Sequence, residues 1–103
     1  MNNLVEAEIW LREAFAQLEN IKETYIIGSV LSKVFSDIND VDVVQLIDFA
    51  QSCCMKTHAH KIHCIESLFF TKFSKKLHVT TFTLKEFNDF EVFMSLNFNL
   101  KIV

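Results

Sequence analysis

Asp40 and Asp42 are the two residues of this chain whose type and spacing best suit chemistry. They stand in Asp40-Val41-Asp42-Val43-Val44, an alternation that reads as a β-strand. Residues two apart on a strand share a face, so both carboxylates project together while Val41 and Val43 point the other way. Carboxylates held side by side repel unless a cation joins them, and all-oxygen donors favour a hard ion such as magnesium or manganese. A turn also draws on acids and amides, which accounts for Asp37 and Asn39. It does not account for Asp42, inside a strand among valines, where carboxylates are disfavoured.

A second feature lies just upstream. Gly28 is the only glycine in 103 residues, and the chain has no proline. It marks the one place where the backbone must turn tightly or come close to a ligand. Gly28 follows Tyr25-Ile26-Ile27, an aromatic and β-branched run that reads as a buried strand. A short helix is expected from Val30 to Phe35, then a turn, then the strand that carries the two aspartates.

The pattern Ile27-Gly28-Ser29, ten intervening residues, Asp40-Val41-Asp42-Val43 resembles the nucleotidyltransferase superfamily related to DNA polymerase β. In size the chain is most similar to its minimal nucleotidyltransferase branch. The firm resemblance covers residues 25 to 47. It implies that Gly28 and Ser29 hold the triphosphate of a nucleoside triphosphate, with Lys33 one turn further on within reach of a phosphate. A missing Cβ, the amides opening a helix and a hydroxyl donor suit that task. The resemblance also implies that Asp40 and Asp42 bind Mg2+ or Mn2+, and that a nucleoside monophosphate passes to a hydroxyl on a protein or small-molecule acceptor. The chain departs from the family in two ways. Val30 to Lys33 stand where a second glycine and an arginine are frequent, and the third carboxylate is replaced by His78 in Leu77-His78-Val79. His78 then acts as a base, binds a softer metal, or marks a subunit that has lost transfer and serves as a binding or antitoxin-type partner. Minimal members are often paired with a small helical HEPN protein in toxin–antitoxin systems, which the resemblance implies as a partner class.

The elements that must position these residues follow from periodicity. Leu4, Ala7, Leu11, Ala14 and Leu18 form one stripe, predicting a helix from residue 3 to about 21 capped by Asn3 and Glu6. A long helix is expected from Asp48 to about Phe73, with Met55, His58, Ile62, Ile65 and Phe69 facing inward. Residues 53–64 hold three cysteines and three histidines, but their helical faces diverge. Cys53 and His60 are about 10 Å apart along the axis, whereas a structural zinc site needs four convergent ligands. Leu77 to Thr83 reads as a strand. A helix follows from Leu84 to about Leu96, with Thr83 and Glu86 as its capping box, and residues 98–103 read as a short edge strand. Helices between strands predict one α/β (α+β) domain spanning 1–103: a small mixed sheet of three to four strands with helices packed on it.

Composition narrows the partners. A net charge of −3 with interspersed signs argues against broad nucleic-acid binding. No apolar run reaches membrane-spanning length and no secretion signal is evident, while three cysteines without such a signal suggest reduced thiols and a cytoplasmic location. Hydrophobic residues make up 50% of the chain, with eleven phenylalanines, a high share for so small a domain. A phenylalanine-rich core and apolar surface buried in a homo-oligomer or against a partner both account for it.

Overall fold

The computed structural model describes residues 3–31, 34–48 and 53–102. Helix α1 (Leu4–Ala16) opens the chain, followed by strand β1 (Ile21–Ile27), a 3₁₀ turn at Gly28–Leu31, a second at Phe35–Asp37, and strand β2 (Asp40–Ile47). Helix α2 (Cys53–Phe73), strand β3 (Lys76–Thr83), a 3₁₀ turn at Leu84–Glu86, helix α3 (Phe87–Ser95) and strand β4 (Asn99–Lys101) complete it. The four strands form one mixed sheet in the order β3-β2-β1-β4. β1 runs antiparallel to both β2 and β4, whereas β2 and β3 are parallel. The architecture is therefore the expected mixed sheet with helices, four-stranded.

Local chemistry explains most boundaries. The Asn3 side chain accepts the Glu6 amide at 2.9 Å, the cap anticipated for α1. That helix stops at Ala16, short of the expected 21, because the chain from Ile21 onward is drawn into the sheet, where β1 pairs with β2 through a register shift between Ile21 and Glu23. Asn20 makes the reversal in the left-handed region at φ 65. Of the short helix expected from Val30 to Phe35, Val30 and Leu31 lie in one 3₁₀ turn and Phe35 opens another, while residues 32–33 lie outside the described residues. Before α3, the Glu86 carboxylate accepts from the Thr83 amide at 3.0 Å and its hydroxyl at 3.1 Å, completing the expected capping box.

The two faces of the sheet are covered differently. On one face, α1 and α2 enclose the main core. Ala7, Leu11 and Phe15 meet Ile62, Ile65, Phe69 and Phe73 over Ile26, Val41, Val43 and Leu77. Trp10 stands edge-on to Phe69 at 5.6 Å and Phe69 packs against Phe73 at 4.7 Å, contacts that add to plain burial. On the other face, α3 lays Phe90 over Ile27, Val44 and Leu46, with Phe82 and Phe93 beside it. Of the apolar residues expected on α3, Phe90 alone is fully buried, while Val92 and Leu96 face outward. Met55, expected inward on α2, is exposed.

The main core contains a polar pocket that periodicity placed only as an inward-facing histidine. His58 is buried on α2 with Nε2 3.1 Å from Gln45 Oε1. Thr24 lies directly across the ladder from Gln45, and both are fully buried. Burial, reinforced by the Lys61 ammonium, holds the His58 imidazole below its ordinary 6.5. The unfolded chain therefore binds this proton more readily than the folded one. Stability is full above about pH 6.5 and falls as pH drops below it toward the lower folded-state value, by up to about 1.4 kcal/mol per pH unit. Urea unfolding midpoints at pH 7.5 and 5.5 should show this loss in the wild type, and a smaller one in His58→Gln.

Candidate functional site

Register brings the sequence-selected residues to one end of the sheet. Ile27 pairs with Asp42 across the antiparallel ladder, and Asp42 pairs with His78 across the parallel one. Residues directly opposite in a ladder share a face, so Asp42 and His78 project together, and Asp40 joins them two residues away. The His78 Nε2 lies 3.6 Å from Asp40 Oδ1, both side chains about half exposed. Asp42 is the more enclosed carboxylate, between Ile27 and His78. Helix α3 packs on Ile27, Val44, Leu46 and Phe82, while Asp40 and His78 at the end of this face stay about half exposed.

Gly28 follows at the end of β1 with φ +84, a left-handed conformation that explains why the single glycine stands here. Space is not the reason, since the nearest atom a Cβ would meet is Asp42 Oδ2 at 3.7 Å, an ordinary contact. The backbone is held from behind: the Gly28 amide donates to the Phe98 carbonyl at 3.1 Å. The glycine thus turns the chain directly beside a carboxylate. Of the other residues expected to hold phosphate, the Ser29 side chain and all of Lys33 lie outside the described residues.

Two lysines enter the site that motif reading passed over. Lys76 pairs with Asp40 in the β2–β3 ladder and shares the face of His78. The spacing Lys76-Leu77-His78 carried that signal, since i and i+2 on a strand point alike. Lys75 donates to the Ile38 carbonyl at 2.5 Å and lies 4.6 Å from the centre of the Phe35 ring. It ties the turn before Asp40 to the turn before β3, so both strands enter the site from a fixed position.

The donor chemistry suits a hard cation that arrives with its own oxygen ligands. Among the described residues, no three His, Cys, Asp or Glu side chains converge into a ready-made metal cage. Magnesium does not require one, because it commonly takes one or two carboxylates and completes its shell with phosphates and water. Asp40 and Asp42 provide such a pair on one strand face. The Cys/His-rich stretch does not: His60 and Cys64 approach to 3.8 Å on an exposed helix face, and the Cys53 and Cys54 side chains lie outside the described residues.

Gly28→Ala forces a Cβ into the left-handed region and should cost about 1–2 kcal/mol. Denaturant unfolding of wild type and variant checks this. In comparison with known proteins, no family model matches the chain, and no curated protein or solved structure does either.

Proposed function

We propose that this chain binds a metal–nucleoside triphosphate at the Gly28–Asp40–Asp42 end of the sheet, and that it is a nucleotidyltransferase-type protein acting on a hydroxyl acceptor. The observation that carries the reading is the register Ile27–Asp42–His78, which aligns the glycine turn, the paired carboxylates and His78 on one open strand end. Periodicity alone does not require these segments, 50 residues apart in sequence at their extremes, to share one end of the sheet. In this reading the Gly28 turn receives the phosphates, Asp40 and Asp42 hold Mg2+ or Mn2+, and Ser29 and Lys33 are assigned to phosphate by resemblance alone. A bound divalent ion supplies charge neutralisation for the pyrophosphate leaving group and acidifies the attacking hydroxyl. The three thiols and the absence of a membrane-length apolar helix among the described residues accord with a reducing, cytoplasmic setting.

One contact favours the second reading, a subunit that binds nucleotide without transferring it efficiently. By the resemblance, His78 stands where the third carboxylate is expected, and its Nε2 lies 3.6 Å from Asp40. A neutral imidazole there removes one negative charge from a site that must hold two hard cations, and offers nitrogen where magnesium prefers oxygen. In that role the protein works through another chain, for which a small helical HEPN protein is the partner class suggested by the resemblance.

Calorimetric titration with Mg2+ or Mn2+ and each nucleoside triphosphate tests the site. Asp42→Asn should weaken metal-dependent nucleotide binding at least ten-fold while circular dichroism stays unchanged; identical isotherms for wild type and variant would refute the assignment. Incubation with labelled triphosphates and host lysate then reads transfer. His78→Asp should raise the rate at least ten-fold over wild type. A fast wild type whose rate is untouched by His78→Ala would remove His78 from the site and end the binding-subunit reading.

A further inference from the structure

The sequence treats the two edges of the sheet differently. Strand β4 is three residues long and carries Lys101, both of which discourage further pairing. Strand β3 is eight residues long, follows β2 residue for residue without a bulge, and has no Asp, Glu, Lys, Arg, Pro or Gly from Leu77 to Thr83. Apart from Lys76 at its start, the devices that normally protect an edge are therefore missing from the longer of the two.

The hydrogen-bond parity shows what that edge offers. The Lys76 amide donates to the Asn39 carbonyl, so Lys76, His78, Thr80 and Phe82 turn their backbone groups toward β2. Leu77, Val79, Thr81 and Thr83 turn theirs away from the sheet. Of these four amides, that of Thr83 is taken by the Glu86 carboxylate. Alongside the edge runs an open groove of about 550 Å³, bounded on the α2 side by Ser67, Phe70 and Thr71 and on the strand side by Leu77 and His78. Phe70 stands 53% exposed there.

We propose that β3 pairs antiparallel with β3 of a second copy of this chain, about a two-fold axis at Thr80, joining the two sheets into one. This inference is independent of the nucleotide-binding reading. With the axis at Thr80, Leu77 faces Thr83 and Val79 faces Thr81, so every outward-turned residue meets another outward-turned residue. A register shifted by one residue sets outward groups against inward ones, and a shift by two leaves an end residue unpaired. Val79 then meets Thr81, Thr80 meets itself and His78 meets Phe82, β-branched or aromatic pairs that are favourable on a sheet, while Leu77 meets Thr83 at the end of the ladder. Charge also permits self-association. Lys76 falls opposite apolar Leu84 and not opposite a second lysine, and the groove carries Glu66 together with His63 and Lys76, so two copies do not meet as like-charged surfaces.

The axis makes a sharp test. Thr80 is exposed and faces itself at a non-hydrogen-bonded position, where Cα atoms approach to about 4.5 Å, within disulfide reach. Thr80→Cys should form a disulfide-linked dimer under mild oxidation, well beyond the wild type, whose own cysteines set the background. Analytical ultracentrifugation should find a wild-type dimer. Thr80→Lys, which sets two ammonium groups opposite each other, and Val79→Pro, which removes an outward amide, should each raise its dissociation constant at least ten-fold, with circular dichroism confirming that each variant folds. A wild type that stays monomeric at every concentration overturns the proposal. So does a dimer that survives Thr80→Lys and gains no crosslink at position 80, since its contact then lies elsewhere, or a monomer that pairs this edge only with an added extended peptide.

Discussion

Strand β2 must be hydrogen-bonded along both edges, and the rest of the fold answers that requirement. It is buried on both faces: Val41, Val43, Gln45 and Ile47 beneath α1 and α2, Val44 and Leu46 beneath α3. From Val43 to Ile47 every residue is buried, and a buried amide or carbonyl left unpaired there would cost about 1–3 kcal/mol. A few such losses would exhaust the 5–15 kcal/mol that stabilises an ordinary domain. β1 satisfies one edge after the turn at Gly28, and β3 satisfies the other through the crossover carried by α2. The helix is long because it must return the chain to the end of β2 where the strand began.

The candidate site is a consequence of that arrangement. Parallel pairing starts β2 and β3 at the same end, and antiparallel pairing ends β1 there as well. Three chain segments therefore converge where polar residues are tolerated, beyond the cover of α3. Asp40 and Asp42 occupy the open end of a strand whose remainder is apolar. Lys75 keeps the two entry turns together through Ile38 and Phe35, so the convergence does not rest on the strand ladder alone. The candidate site and the architecture share one constraint, since the pairing that closes the sheet also brings Gly28 and His78 beside the carboxylates.

The cost of the arrangement falls on the periphery. A small domain with eleven phenylalanines cannot enclose all of them, and the face under α3 is the thinner of the two layers. Phe87 and Leu84 stay partly exposed, Leu96 and Phe98 more so. Within the main core, the row Thr24–Gln45 beneath His58 interrupts an otherwise apolar interior. Thr24 Oγ1 and Gln45 Nε2 are buried without a hydrogen-bond partner among the described residues. A neutral, hydrogen-bonded imidazole is what lets His58 occupy this position.

Much of this was written locally. The alternation from Asp40 to Val44 placed two carboxylates on one face, the lone glycine marked the turn beside them, and Asn3 with Glu6 and Thr83 with Glu86 announced two caps, because each depends on neighbours a few residues apart. The stripe through His58, Ile62, Ile65 and Phe69 likewise identified the buried face of α2. Other features required the folded chain. The Leu18 stripe suggested a helix to about residue 21, yet pairing with β2 claimed residues 21–24 for the sheet, since a buried strand edge outweighs a weak helical preference. Directly after Gly28 the chain takes a 3₁₀ turn with Val30 buried in the core, a detail that local periodicity does not set. The sheet order, Lys76 beside Asp40 and His78 level with Asp42 were decided by register alone, a long-range property that no local spacing encodes. The residue types that could do chemistry were legible in the chain, whereas their meeting at one strand end came from the need to pair β2 on both sides.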